Sequence, residues 1–226
     1  MKRLALLLFV IVSLCGWTEA KFNFRDSSGY VTDGSNTTYV LGNDDAYPVT
    51  RGGFTFGWNT IDADSGRDRD NAVDARLAGV NFNTNAASQA EFQVDMSSSG
   101  TKTVCLAVGD ATADHKHHQY VEVLDNTTSK FVVDIDGDGS SGGTAAGEFA
   151  DANETVWSTA NWPGSNVCKV VTFATTTFIL KLGTPSSDSD NSSIAHLSIT
   201  DGGTTGGILR QKNINSTTDY TNGGMQ

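Results

Sequence analysis

The chain has 226 residues, of which 38% are hydrophobic, and its formal net charge at pH 7 is −11. A surface this acidic repels nucleic acid and anionic lipid and has few basic side chains to displace their counterions, which excludes both as partners. A chain of about 200 residues is long enough to form a single sandwich or barrel with its own core.

The first 20 residues have the layout of a secretory signal peptide. Two basic residues precede an apolar run from Leu4 to Leu14, and the small residue Ala20 ends the segment. The run is too short to cross a bilayer, so we expect cleavage after Ala20, a secreted or cell-surface protein, and no membrane insertion afterwards. A lipid anchor on Cys15 is the alternative, and the bulky residue before that cysteine argues against it.

Short segments rich in Val, Thr, Phe and Ile recur between clusters of Gly, Asn, Asp and Ser, and helical periodicity is almost absent. This pattern predicts an all-β, two-sheet antiparallel β-sandwich over residues 21–200. A polar, glycine-rich and flexible tail is expected over residues 201–226. The predicted strands are 22–24, 38–41, 54–58, 75–80, 90–96, 101–108, 120–124, 130–135, 167–173, 177–182 and 194–200.

The stretch 90–110 predicts a hairpin that supplies much of the core. Apolar residues alternate in its first half and less cleanly in its second half, and the polar segment Ser97–Gly100 between them has turn chemistry. The expected core side chains are Phe92, Val94, Leu106 and Val108.

Two later strands differ in how their apolar residues are placed. In 178–182 they occupy both faces, which predicts a central strand covered on each side. In 194–199 they occupy one face, and His196 and Ser198 share the other, which predicts a closing strand with one face in water.

Two cysteines, Cys105 and Cys168, remain after the predicted cleavage. An even pair in an oxidising compartment favours a disulfide. Two separately buried thiols are the alternative, because free cysteine is among the most buried residue types.

Several motifs resemble a known family. They are RGGFTFGWN at 51–59, DRD at 68–70, AEFQVDM and GTKTVCLAVGDA between 90 and 111, and QYVEVL at 119–124. With the opening Phe22-Asn23-Phe24, they resemble the galactose-binding-like β-jelly-roll domain attached to secreted esterases and polysaccharide lyases.

This resemblance implies a jelly roll and a carbohydrate-binding module. The sequence departs from the family pattern at Thr103, where an aromatic residue is usual. It also departs in the segment between Phe131 and Val167, which is longer than expected. The resemblance covers only the attached module, so the esterase or lyase activity of the relatives is not carried over to this chain.

The run from Asp134 to Gly139 has the form D-x-D-x-D-G and predicts a calcium loop. The carboxylates of Asp134, Asp136 and Asp138 can converge on one hard cation when the chain turns sharply at the glycine. The twelfth position, where an EF-hand has its glutamate, is alanine, so the last ligand is expected from elsewhere, with Glu148, Asp151 and Glu154 available. A solvated acidic loop is the alternative.

Histidines cluster just before a predicted strand that starts at Tyr120. His115 and His117 have the one-apart spacing that shares a face on an extended chain, so they are candidates for ligand or transition-metal binding, with Tyr120 beside them. The alternative is a polar loop that only leads into the strand.

Trp157 and Trp162 lie in a loop-like segment with Pro163. An aromatic ring can stack on the C–H face of a sugar, so both residues are candidate glycan contacts. The alternative is that they cap one end of the sandwich.

Catalytic signals are weak. A G-x-S-x-G run occurs at 139–143, but it lies in a glycine-rich polar segment with no predicted helix after it, unlike a nucleophile elbow. The sequence contains no phosphate-binding loop, and Asp64, Asp68 and Asp70 lie among arginines, as salt-bridged acids do. The leading hypothesis is a secreted, non-catalytic glycan-binding module with a structural calcium ion. The alternatives are a structural or adhesion subunit of a cell surface, fibre or virion that binds itself or other surface proteins, and a hydrolase with an unrecognised site.

Overall fold

A computed structural model describes residues 19–25, 30–32, 38–41, 45–60, 66–69, 74–83, 88–114, 119–135, 143–163, 167–183 and 192–202. Two 3₁₀ helices span Ala75–Leu77 and Thr159–Asn161. The strands are β1 (Glu19–Asn23), β2 (Tyr30–Thr32), β3 (Thr38–Leu41), β4 (Val49–Arg51), β5 (Phe54–Thr60), β6 (Gly66–Asp68), β7 (Gly79–Asn83), β8 (Ala90–Asp95), β9 (Gly100–Asp110), β10 (Gln119–Asp125), β11 (Thr128–Ile135), β12 (Glu148–Ala150), β13 (Val156–Ser158), β14 (Cys168–Phe173), β15 (Thr177–Leu182), β16 (Ser192–Ile194) and β17 (His196–Asp201).

The strands form three sheets. Sheet A has the order β13-β12-β9-β17-β1-β3-β2, with β14 also paired to β9. Sheet B has the order β11-β10-β15-β8-β5-β4, and sheet C has the order β16-β7-β6. Neighbouring strands are antiparallel except for the parallel pair of β1 and β3. Sheets A and B bury one shared hydrophobic core, so the predicted two-sheet antiparallel β-sandwich is confirmed.

The core is built from side chains that alternate along the strands of both sheets. Phe22 of sheet A inserts between Phe56 and Phe92 of sheet B, with ring centroids 4.9 Å and 5.4 Å away. The four core residues predicted from the sequence are all fully buried. Removing one of these rings would cost about 3–5 kcal/mol, because the cavity adds to the lost transfer free energy.

The predicted hairpin over 90–110 is wrong. β8 pairs with β5 and β15 in sheet B, whereas β9 pairs with β17, β14 and β12 in sheet A. The turn before Gly100, whose φ is +111°, therefore carries the chain from one sheet to the other. Two strands that face each other across a core show the same period-two alternation as two strands in one sheet, so the local pattern does not separate them.

The central strand 178–182 is confirmed, since β15 lies between β8 and β10 and even its outward Ile179 is buried. The predicted wet face of the closing strand is wrong, because His196 and Ser198 are both buried. The predicted strand 75–80 is also wrong at its start. Ala75–Leu77 is a 3₁₀ helix, capped by the Asp74 carboxylate, which accepts the Arg76 N–H at 2.9 Å.

A disulfide joins Cys105 of β9 to Cys168 of β14. The two cysteines are direct partners in the antiparallel register of these strands. The bond therefore closes a loop across 63 positions and fastens β14 to the central part of sheet A.

The first and last strands lie side by side. Ala20, the residue before the predicted cleavage point, is buried in β1 and pairs with Ile199 of β17. The last described residue is Gly202, whose N–H donates to the Thr101 carbonyl at 2.8 Å, and most of the predicted tail lies outside the described residues. Within the described ranges, no helix has the length and apolar character needed to cross a membrane.

Candidate functional site

Several strands of sheet B start or stop at one end of the sandwich, called here the loop end. Ala90 at the start of β8 is opposite Leu182 at the end of β15, and Thr60 at the end of β5 is beside Glu91. The Gly183 N–H donates to the Tyr120 carbonyl at 2.9 Å, which adds the start of β10. β8 runs away from the loop end and β9 follows it after a short turn, so β9 runs back and finishes at the loop end.

A cleft of about 340 Å³ opens at the loop end. Its walls come from the end of β5, the end of β7, the segment before β8, and the segment before β4. The lining residues are Ala46, Trp58, Asn59, Thr60, Asn83, Ser88, Gln89 and Ala90.

One wall of the cleft depends on Gly57. The segment before β4 lies along Trp58, with the Tyr47 N–H donating to the Trp58 carbonyl at 3.0 Å and the Trp58 N–H donating to the Asp45 carbonyl at 2.8 Å. A Cβ atom on Gly57 would be 2.6 Å from the Tyr47 nitrogen, and the glycine φ of +145° disfavours other residues. Glycine therefore allows the close approach that places Ala46 at the cleft.

Trp58 contributes to the wall but is only 2% exposed. Its ring packs on Phe92 at 5.0 Å and on Phe24 at 5.9 Å between centroids. Trp58 is therefore part of the main core and gives the cleft a rigid apolar base.

The opposite wall is held by side-chain amides. Asn83 Nδ2 donates to the Ser88 carbonyl at 2.7 Å and to the Leu182 carbonyl at 3.0 Å. Gln89 Nε2 donates to the Gly183 carbonyl at 2.7 Å. These bonds join β7, β8 and β15 and fix the shape of the wall.

The rim is polar and uncharged. Thr60 Oγ1 donates to the Gln89 carbonyl at 3.1 Å, and Asn59 Nδ2 donates to Glu91 Oε1 at 2.8 Å and to Gln93 Oε1 at 3.0 Å. Asn59 and Thr60 are exposed, so their remaining oxygen lone pairs can meet a ligand. Amides and hydroxyls around a rigid base suit a small, hydroxyl-rich ligand.

Tyr120 lies at the loop end but does not line the cleft. It is half-buried in β10 opposite Asp134, and its backbone N–H donates to Ser192 Oγ at 2.9 Å. Burial, together with the carboxylates of Glu122 and Asp134, raises the pKa of its phenol. Tyr120 therefore keeps its proton at neutral pH and can serve as a hydrogen-bond donor.

The predicted calcium ligands are described only in part. Asp134 is exposed near the end of β11, and Glu148 in β12 accepts the Ala145 N–H at 2.9 Å with Oε2. Asp136 and Asp138 lie outside the described residues, as do His115 and His117. No group of three or more His, Cys, Asp or Glu side chains able to hold a metal occurs within the described part of the chain.

The tryptophan segment was predicted to be loop-like, but it starts as β13, the edge strand of sheet A, in which Trp157 is paired with Phe149. Trp157 is half-buried, and its Nε1 donates to Asp151 Oδ2 at 2.9 Å. The buried Asp151 also accepts the Asn153 N–H at 2.7 Å and the Thr155 N–H at 3.2 Å. This carboxylate therefore fixes the turn between β12 and β13 and the edge of the Trp157 ring.

Trp162 is 8% exposed and belongs to a second hydrophobic cluster. Its ring meets Phe149 at 5.8 Å and His196 at 6.1 Å, edge to face in both cases. The structure thus places Trp162 under the surface, where its faces contact protein. Burial, and then the Arg76 charge, lower the pKa of His196 to about 3, against the opposing effect of Asp74.

Of the three aspartates predicted to form salt bridges, Asp68 does so: its carboxylate accepts a hydrogen bond from Arg25 Nε at 3.1 Å. The neighbouring Arg69 makes two 2.7 Å bonds to the buried Asp110 carboxylate, which also accepts the Thr112 N–H at 2.8 Å. Asp64 and Asp70 lie outside the described residues.

Sequence reasoning missed the cleft because it searched for exposed aromatic rings. The lining comes from four separate segments, and its polar residues are ordinary loop residues when they are read locally. The only local signal was the run Trp58-Asn59-Thr60, where an apolar strand ends in two polar side chains.

No protein-family model matches the chain, and the curated proteins searched contain no match. Among solved structures, it is similar to the CBM35 module of Abf62 from Cellvibrio japonicus, with 14% identity, a TM-score of 0.37, and coverage of 82% of this chain and 95% of that one. It is also similar to the plant receptor-like kinase FER, with 11% identity, a TM-score of 0.41, and coverage of 81% of this chain and 42% of that one.

A third similar structure is β-glucuronidase 2 of Bacteroides uniformis, with 10% identity, a TM-score of 0.41, and coverage of 82% of this chain and 18% of that one. The chain therefore spans less than half of the receptor kinase and less than a fifth of the glucuronidase. All three TM-scores are below 0.5, so the fold assignment rests on the sheet order and the shared core described above.

Proposed function

We propose that this chain is a secreted, non-catalytic carbohydrate-binding module that holds a glycan in the cleft at the loop end. The observation that carries the proposal is the cleft itself, an open volume of about 340 Å³ whose lining is uncharged among the residues that the structure describes. Its exposed Asn59 and Thr60 can accept hydrogen bonds from sugar hydroxyls, and Trp58 supplies a rigid apolar base. The sequence resemblance to a galactose-binding-like domain supports the same function.

The test is a glycan array with the mature protein, followed by calorimetry on each glycan that binds. Ala46→Trp fills the cleft from an exposed position and should weaken binding at least about tenfold, because the ring occupies the space of the ligand. Ala174→Trp is the matched control, since it adds the same ring at an exposed turn at the opposite end of sheet B. Equal binding by both variants, or no glycan bound by the parent protein, would reject the proposal.

We also propose that the D-x-D-x-D-G run binds a structural calcium ion through Asp134, Asp136 and Asp138, with Glu148 as a further ligand. The proposal is supported by alternating carboxylates before a glycine, the pattern of oxygen ligands that calcium favours. Calorimetric titration with CaCl₂ should release or absorb heat, and EDTA should lower the melting temperature. Asp136→Asn combined with Asp138→Asn should abolish both effects, and their persistence in this variant would exclude the site.

A second candidate function is a structural or adhesion subunit, favoured by one edge strand. β14 pairs only with β9 among the described strands, and Val170 in its middle is 71% exposed. An unpaired edge with an exposed apolar residue can accept a strand from another chain. Native mass spectrometry should then show an oligomer that Val170→Lys dissociates, and a strict monomer at high concentration would exclude assembly through this edge.

A further inference from the structure

We infer that the cleft selects by charge: it binds uncharged glycans and excludes glycans that carry uronic acids. This inference rests on the proposed function, because it concerns the same cleft. It names the ligand class, which neither the sequence pattern nor the cleft volume specifies.

The amide and hydroxyl donors of the cleft are already used in bonds to the protein. Both N–H groups of the Asn83 amide donate to protein carbonyls, and Asn59 Nδ2 donates to two acceptors on β8. The Thr60 hydroxyl donates to the Gln89 carbonyl. The rim residues Asn59 and Thr60 therefore offer mainly acceptor oxygens, which pair with sugar hydroxyls but not with a carboxylate.

Charge around the cleft also disfavours an anionic ligand. The eight lining residues within the described part of the chain are all uncharged. Two described cations near it are matched with carboxylates: Arg51 with Asp45 at 2.8 Å, and Lys181 with Glu91 at 3.5 Å. Lys181 is also directly opposite Glu122 in the pair of β10 and β15. The row of Glu91, Lys181 and Glu122 therefore has a net negative charge.

The energetic consequence follows from desolvation. A uronic acid carboxylate that enters the cleft loses water and needs charge-assisted donors in return. The rim instead supplies acceptors and the nearby Glu91 carboxylate, on a chain whose formal net charge is −11. A neutral hexose or pentose loses less hydration and gains acceptors for its hydroxyls.

The test is affinity gel electrophoresis of the full mature chain in neutral and acidic polysaccharides. The neutral probes are galactan, arabinoxylan and laminarin, and the acidic probes are polygalacturonate and alginate. We expect retardation by at least one neutral probe and at least about tenfold weaker retardation by both acidic probes at equal concentration. The neutral retardation should be unchanged between 50 mM and 500 mM NaCl, roughly the range over which exposed charges become screened.

A rim variant that gains binding to an acidic polysaccharide tests the inference further. Thr60→Lys places a cation on the exposed rim and should create retardation by polygalacturonate at low salt. Thr128→Lys, with the same change at an exposed position at the other end of sheet B, should not. Circular dichroism and melting temperature confirm that both variants are folded.

The outcomes separate this inference from the proposed function. If an acidic probe retards the parent protein as strongly as the neutral probes, the charge selection is wrong and the glycan module stands. If no probe retards the parent protein, both are wrong. If Thr60→Lys leaves polygalacturonate unbound while Ala46→Trp abolishes neutral binding, the assignment of the rim as the charge filter is wrong.

Discussion

The cleft and the tryptophan segment lie at the same end of the sandwich but use their residues in opposite ways. The sequence of the tryptophan segment predicted rings that stack on a sugar. Trp162, however, is 8% exposed and packs on Phe149 and His196. The cleft has no exposed aromatic face, yet it contains open volume and exposed polar groups. The comparison shows that an aromatic-rich segment can be used for packing, while ordinary polar residues around a glycine form the candidate binding site.

The largest expected difference between the two regions is in stability. Trp162→Ala should reduce the free energy of unfolding by about 3–5 kcal/mol, because it leaves a cavity beneath Phe149 and His196. Urea denaturation followed by circular dichroism measures the loss, and Trp162→Phe should lose less because it retains part of the packing. Glycan affinity of the folded variant should be unchanged, and a large loss of affinity at full stability would mean that Trp162 contacts the ligand.

The next effect is pH dependence, which arises in the tryptophan segment through His196. Its folded pKa of about 3 lies below the usual 6.5, so between these values the unfolded chain binds the proton more readily. The contribution of neutral His196 to the free energy of unfolding is therefore fully present above about pH 6.5. It is lost as the pH falls below this value, by up to about 1.4 kcal/mol per pH unit. Burial alone would raise the pKa of Asp74, but hydrogen bonds from Arg76 outweigh burial and lower it. Asp74 therefore reduces stability only when the pH falls below the ordinary carboxyl pKa of 3.8.

Urea denaturation at several pH values between 4 and 7 measures this slope. His196→Gln removes the titrating group while keeping a polar side chain of similar length, so its stability should vary less with pH in this range. An unchanged slope in that variant would show that other groups cause the acid sensitivity.

The third effect concerns the disulfide, which lies in sheet A and outside the cleft lining. Replacing Cys105 and Cys168 together by alanine should lower the free energy of unfolding by about 2–4 kcal/mol, because the unfolded chain gains loop entropy. Thermal unfolding with and without reductant measures this, and the double variant should be insensitive to reductant. Lost glycan affinity at temperatures where the variant stays folded would contradict the separation of the cleft from this part of sheet A.

The smallest expected effect is on the cleft rim. Asn59→Ala removes an exposed amide that contacts Glu91 and Gln93, so glycan affinity should fall about fivefold, which corresponds to about 1 kcal/mol. The melting temperature should change little, because the residue is exposed. Asn153→Ala, an exposed change in the turn between β12 and β13, is the control, and calorimetry should find its affinity equal to that of the parent protein.

Much of the fold could be predicted locally, and the errors have a common cause. The alternation of Phe92 and Val94 correctly placed them in the core, because period-two burial is a property of any half-buried strand. The same pattern wrongly predicted a hairpin with Leu106 and Val108, because alternation does not say which strands share a sheet. His196 was expected in water because the elements that cover it, the 3₁₀ helix at Ala75–Leu77 and Trp162, are distant in sequence.

The sequence alone determined the all-β class, the inward faces of the central strands and the salt-bridged role of Asp68. It did so because strand propensity, turn chemistry and alternation act over a few residues. Only the tertiary structure decided which polar residues surround open space. The cleft brings together the ends of β5 and β7 and the segments before β4 and β8, and its shape depends on long-range contacts such as Asn83 with Leu182 and Gln89 with Gly183. Contacts of this kind leave no local signal, so the candidate site became visible only when the chain was folded.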